Sequence, residues 1–170
     1  MWWSSGAAAA LGLVLAACGF QPLYGEREHG GKTLAALADV RIAPIPDRLG
    51  QVVRNHLLDI LTPRGTRAQA RYRLTVTLRK AKEGLAFEQD ESVTRFDVTI
   101  AGDYALTEIA SGDTVTKGTA RAIASYNVVR SDFANIAAER DAELRLAREL
   151  SNEIALRLAV ALGRRFGNET

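Results

Sequence analysis

Two stretches of the chain alternate apolar and polar positions with the period of a half-buried strand. In the first, Tyr72, Leu74, Val76 and Leu78 face one way and Arg71, Arg73, Thr75, Thr77 and Arg79 the other. In the second, Phe96, Val98, Ile100, Tyr104 and Leu106 oppose Arg95, Asp97, Thr99, Asp103 and Thr107. Gly102 interrupts the apolar row, which marks a bulge or a close backbone approach. The turn Ser111-Gly112-Asp113 leads to a third strand over 114–124. Its row Thr116, Gly118, Ala120, Ala122, Ala124 is small enough for a helix to lie close above it. Ahead of these, 39–45 reads as a short strand with Val40 and Ile42 on one face, closed by Pro44 and Pro46.

The period changes to that of a helix in two places. Asp47 stands where an N-cap would accept backbone donors, and Leu49, Val52, Val53, Leu57, Ile60 and Leu61 then recur at helical spacing up to Thr62-Pro63-Arg64-Gly65. From Asp132, a second cap position, the chain runs without proline and with no glycine before Gly163. Ile136, Leu146, Leu150, Ile154, Leu158, Leu162 and Phe166 form its apolar stripe. Unbroken, this helix would be roughly 50 Å long at about 1.5 Å per residue, so its first third is expected to be a separate turn or an overhang. The predicted fold class is an α/β (α+β) two-layer sandwich: a four-stranded mixed sheet with two helices on one face, in the order β-α-β-β-β-α. The first strand-helix-strand unit makes a parallel pair by a right-handed crossover.

The opposite sheet face is left wet and basic. The chain has 170 residues, with 22 Lys+Arg against 20 Asp+Glu and 47% hydrophobic residues, the profile of one globular domain. No charged residue occurs before Glu26, and within that start the 11-residue apolar run from Ala7 suits a signal-peptide core better than a membrane span. The run ends in Leu15-Ala16-Ala17-Cys18, which resembles the lipobox of bacterial lipoproteins. There the cysteine takes a diacylglycerol on its sulfur and, after cleavage, becomes the mature N-terminal residue. The missing Lys or Arg before Gly6 departs from the usual basic start and would be supplied by a start codon upstream. Residues 1–17 are thus expected to be a cleaved signal, 18–37 a lipid-anchored tether, and 38–166 a single domain. Several acyl chains would hold it durably to a membrane, at about 0.8 kcal/mol per buried methylene. In many Gram-negative lipoproteins an Asp after the cysteine favours inner-membrane retention, so the resemblance implies that Gly19 favours export to the outer membrane.

Candidate chemistry is sparse. One cysteine excludes an intrachain disulfide, and Cys18, His29 and His56 stand in unrelated places, so neither a metal site nor a cofactor is expected. No nucleophile motif, phosphate loop or zinc helix occurs, and the chain is not expected to be an enzyme. The connection over 80–94 is read as a long hairpin loop whose Leu85 and Phe87 could dock into a partner. Arg71, Arg73, Arg79, Lys117 and Arg121 are candidate phosphate contacts, because guanidinium offers oxyanions a planar donor fork. Asp97 and Asp103 neutralise part of that face. Nucleic acid is a poor partner for an exported chain with net charge +2 and no aromatic platform on its polar face.

Cys18-Gly19-Phe20-Gln21-Pro22-Leu23-Tyr24-Gly25 resembles the mature start of the LptE family of lipopolysaccharide-assembly lipoproteins, in its alphaproteobacterial form. The likeness continues through Thr94-Arg95-Phe96, Tyr104-Ala105-Leu106, Ser125-Tyr126-Asn127, Phe133-Ala134-Asn135 and Ala138-Glu139-Arg140-Asp141-Ala142. It implies a sheet with two helices on one side. It also implies a role as plug and assembly aid of the outer-membrane barrel LptD, in contact with lipopolysaccharide on its way to the cell surface. Under it, the five basic residues become candidate lipopolysaccharide contacts, and charge reversal at Lys117 and Arg121 is expected to weaken binding more than folding. The alternative is an auxiliary lipoprotein of an ABC-type lipid transporter; a small periplasmic hydrolase has no supporting constellation.

Overall fold

The computed structural model describes residues 28–63, 65, 69–87 and 93–167. The signal sequence and Cys18 lie outside the described residues, as do the loop residues Glu88, Asp90 and Glu91. Four strands, β1 (Val40–Ile42), β2 (Tyr72–Phe87), β3 (Val93–Glu108) and β4 (Thr114–Asn127), form one sheet in that spatial order. β1 runs parallel to β2, and the remaining pairs are antiparallel. Three helices accompany them: α1 (Glu28–Ala38), α2 (Asp47–Leu61) and α3 (Asp132–Gly167). The mixed sheet and the order from β1 onward are those expected from the pattern.

Alternation decides which face is covered. Tyr72, Leu74, Val98, Ile100 and Leu106 are buried, whereas Arg73, Thr75, Thr77 and Arg79 are exposed. The helix-facing row meets Leu146, Leu150, Ile154, Leu158 and Leu162 of α3, all fully buried. Each such leucine contributes roughly 1.5–3 kcal/mol of burial. The register pairs Leu78 with Gly102 and Gly102 with Ala120 without a break in the ladder. A Cβ on Gly102 would lie 3.2 Å from Leu150 Cδ2 and 3.3 Å from Leu78 Cδ2. That glycine therefore serves a close approach of α3, and the small row Ala120 and Ala122 continues the same shallow surface.

Four features differ from expectation. First, the stretch expected to be a tether contributes a third helix, α1, whose Thr33, Ala36 and Leu37 are buried. Two glycines, Gly30 and Gly31, mask it in the sequence, and packing beside α3 rather than propensity accounts for it. Second, Asp47 is not a cap. Pro46 occupies that position, no side chain caps the helix, and Asp47 adopts φ 66 as the chain turns back on itself. Third, β2 and β3 run on to Phe87 and from Val93, so most of the expected hairpin loop is strand. The apolar row simply becomes a lysine row there, and α3 supplies the counter-charges: Lys80 Nζ is 2.8 Å from Glu143 and Lys82 Nζ 2.6 Å from Glu139. Fourth, α3 is one continuous helix of 36 residues, roughly 54 Å long, and its start is the overhang. Complete burial begins at Ala142, and Ile136 lies 53% exposed instead of joining the core stripe.

Candidate functional site

The sheet face turned away from the helices carries the basic residues singled out in the sequence. Pairing sets their positions. Arg73 lies beside Arg41 of β1; Thr75, Ala105 and Lys117 form the next row. Thr77, Asp103 and Thr119 follow, then Arg79, Ala101 and Arg121. Asp103 is the hub of the face. Both its oxygens are engaged by the Arg79 guanidinium, one contact at 3.1 Å, and Thr119 Oγ1 donates to it at 2.6 Å. These bonds, Thr119's foremost and then Arg79's, hold the Asp103 carboxyl below the usual carboxylate range. Arg71 is likewise engaged, its Nε donating to Glu108 at 2.8 Å. Arg165 of α3 donates to the other Glu108 oxygen at 2.8 Å. Arg71 first and Arg165 second depress the Glu108 carboxyl.

The five expected anion contacts therefore divide. Arg71 and Arg79 are committed to carboxylates, whereas Arg73, Lys117 and Arg121 have no carboxylate within 4.0 Å among the described residues. Arg121 lines a shallow cleft with Glu149 and Glu153 at the β4 edge. Arg41 joins the free group and was not singled out from the sequence. Its signal was present: Val40 and Ile42 face the core, so Arg41 must face outward, and a parallel pairing brings it to Arg73. Chemically, separated cations on a wet, otherwise threonine-rich face can each take a phosphate oxygen without first breaking an ion pair.

The sheet end remote from β1 carries the expected docking residues. Leu85 is 53% exposed on β2. Phe87 closes that strand with its backbone paired to Val93, and its side chain lies outside the described residues. Beside them Lys82 is held by Glu139, and its Nζ sits 4.3 Å from the centroid of the Phe96 ring and 5.3 Å from that of Tyr126. The Glu139 bond foremost, then the Tyr126 hydroxyl, raises the Lys82 amine above its ordinary value. Glu139 is lowered in turn, chiefly by Lys82. His56 is half-buried on α2, and no cluster of three metal-ligating side chains forms among the described residues.

Several solved structures share this fold. A candidate lipoprotein from Caulobacter crescentus CB15 superposes with a TM-score of 0.64 at 24% identity, covering 79% of this chain and 97% of its own. A minor lipoprotein from Acinetobacter baumannii gives 0.58 at 15% identity, covering 72% and 92%. The rare lipoprotein B of Shewanella oneidensis gives 0.50 at 15%, covering 76% and 96%. At these identities the likeness speaks to the fold. No curated protein matches the sequence significantly. The family model described as "LptE: Lipopolysaccharide-assembly" matches residues 37–158, from the end of α1 through most of α3, and so the chain belongs to the LptE family of lipopolysaccharide assembly.

Proposed function

We propose that this protein is a lipoprotein anchored through Cys18 in the outer membrane, where it plugs the LptD barrel, assists its assembly and contacts lipopolysaccharide through its uncovered sheet face. The role is one of binding and assembly. The observation that carries it is the division of charge on that face: Arg73, Lys117 and Arg121, with Arg41, stand without carboxylate partners among the described residues. Lipopolysaccharide presents several phosphates on one molecule, and separated cations suit it better than a single cluster would. The lipobox before Cys18 supports the anchor, and the names of the Acinetobacter and Shewanella relatives agree with it.

A pull-down from detergent-solubilised outer membrane, with labelled palmitate to report acylation, tests the reading. Recovery of a large barrel together with a labelled chain supports it. Recovery of a permease or substrate-binding component would transfer the protein to an ABC-type lipid transporter. An unlabelled chain would remove the anchor at Cys18.

A further inference from the structure

We infer that the start of α3 is a preformed anchor for a partner protein, with Phe133, Ile136 and Val129 as the groups that insert. The inference rests on the barrel reading above and names the surface that would seat the protein within its partner. Phe133 is 81% exposed, Ile136 53% and Val129 52%. From residue 132 to 141 no side chain of α3 is fully buried, and of its apolar groups the half-buried Ala138 packs against the core, so apolar packing alone does not hold this part of the helix in place. Polar contacts do. Asn135 donates Nδ2–H to the Val129 carbonyl and accepts the Val129 N–H, both at 2.8 Å. Glu139, one turn further on, accepts from Lys82 at 2.6 Å and from the Tyr126 hydroxyl at 3.1 Å. The corner is thus fixed by its hydrogen bonds while its large apolar side chains point to solvent, the reverse of an ordinary surface helix. Ordering such groups before contact lowers the cost of association, and aromatic residues are enriched at the buried cores of interfaces, where a few side chains carry most of the binding energy.

The occupant follows from position and charge. α1 leads back toward Cys18, and it lies beside the far end of α3: a Cβ on Gly163 would meet Thr33 Oγ1 at 3.7 Å. Gly163 is roughly 45 Å along the helix from Phe133, whereas the ten residue steps from Cys18 to Glu28 span at most about 36 Å. The bilayer that holds the acyl chains is therefore at the wrong end of the molecule to be the partner of this patch. Arg130 and Arg140 flank it without a carboxylate within 4.0 Å among the described residues and outnumber the one unpaired acid beside them, Asp132, so the matching surface is an apolar concavity of a protein with acidic groups at its rim. Arg140 lies on the same stripe as Phe133 and Ile136, at three- and four-residue spacing.

The test places a photo-crosslinking amino acid at position 133, and separately at Leu156 on the opposite half of α3, in the full acylated chain in living cells. An adduct with the barrel from position 133 and none from position 156 is expected. A lipid adduct, a self-adduct or no adduct from position 133 overturns the inference. The variant Phe133→Asp, checked for folding by circular dichroism, is expected to lower barrel recovery tenfold or more, and unchanged recovery likewise rejects the anchor. If the wild-type chain recovers no barrel at all, the barrel reading itself fails; if it recovers the barrel as well as Phe133→Asp does, only the anchor fails.

Discussion

The same substitution, glycine to alanine within a helix, should have opposite signs at two positions, because one glycine is in contact with backbone and the other is not. In an open helix the change stabilises by up to about 1 kcal/mol, since alanine loses less backbone freedom on folding. At Gly163 of α3 the added Cβ would meet Thr33 Oγ1 at 3.7 Å, an ordinary contact, so most of that gain should be realised. At Gly50 of α2 it would lie 2.7 Å from Ile45 Cγ2 and 2.9 Å from both the carbonyl carbon and oxygen of Ile45. The methyl could rotate away, but the carbonyl belongs to a chain pinned between Pro44 and Pro46 and turned at Asp47. Overpacking of this kind costs about 1–3 kcal/mol, which exceeds the propensity gain. Urea denaturation of the purified protein, fitted to two states, is the assay. Gly50→Ala should lower the unfolding free energy by about 1–2 kcal/mol and Gly163→Ala should raise it by about 0.5 kcal/mol or more. A Gly50→Ala protein as stable as wild type would refute the account of how α2 is joined to β1.

Three further outcomes follow from the packing and the ion pairs. Leu150→Ala should destabilise by about 2–5 kcal/mol, because this fully buried side chain fills the space above Gly102, and a loss under 1 kcal/mol in the same urea assay would contradict that packing. Glu139 has its pKa lowered from an ordinary 4.5, so the strap it forms with Lys82 should be fully present above that value and be lost as pH falls through the folded pKa. Lys82 is raised from 10.5, so at the alkaline end the strap is lost only as pH rises above that value; Glu139→Gln should flatten the acid limb, and an unchanged acid limb would show that the strap is idle. Arg157 donates to the Thr119 carbonyl at 2.7 Å, which places that carbonyl on the free edge of β4. Arg157→Ala should cost about 1 kcal/mol or less yet raise concentration-dependent self-association, measured by light scattering, because it uncovers an edge; no change in association would mean that the edge is protected otherwise.

Much of the fold was legible because burial imposes a period on the sequence. Tyr72-Leu74-Val76-Leu78 and Leu146-Leu150-Ile154-Leu158-Leu162 could each be read as one face of one element, and both faces are buried as expected, with Leu78 half-buried at the margin. What escaped notice lacked such a period. α1 carries two glycines and owes its stability to α3, a partner more than a hundred residues away in the chain. The extension of β2 was hidden because Lys80 and Lys82 read as loop residues. They sit on the helix-facing row only because Glu143 and Glu139 answer them from α3, and no local pattern announces such a match. The basic face was legible as a set of residues but not as a set of states. That Arg71 and Arg79 are committed while Arg73, Lys117 and Arg121 stay free depends on which carboxylates the register brings across.

That last distinction is also where the account is most exposed to measurement. Lipopolysaccharide affinity of the purified protein should be compared between wild type and Lys117→Glu/Arg121→Glu, over a series of salt concentrations and with dephosphorylated lipopolysaccharide as control. Each exposed cation contributes modestly, about 0.3–1 kcal/mol, and reversal adds repulsion, so the pair should weaken binding roughly tenfold, equivalent to about 1.4 kcal/mol. The loss should fade at high salt and vanish when the phosphates are removed, with urea denaturation unchanged. Equal affinity for both proteins at low salt would contradict the claim that this sheet face receives lipopolysaccharide.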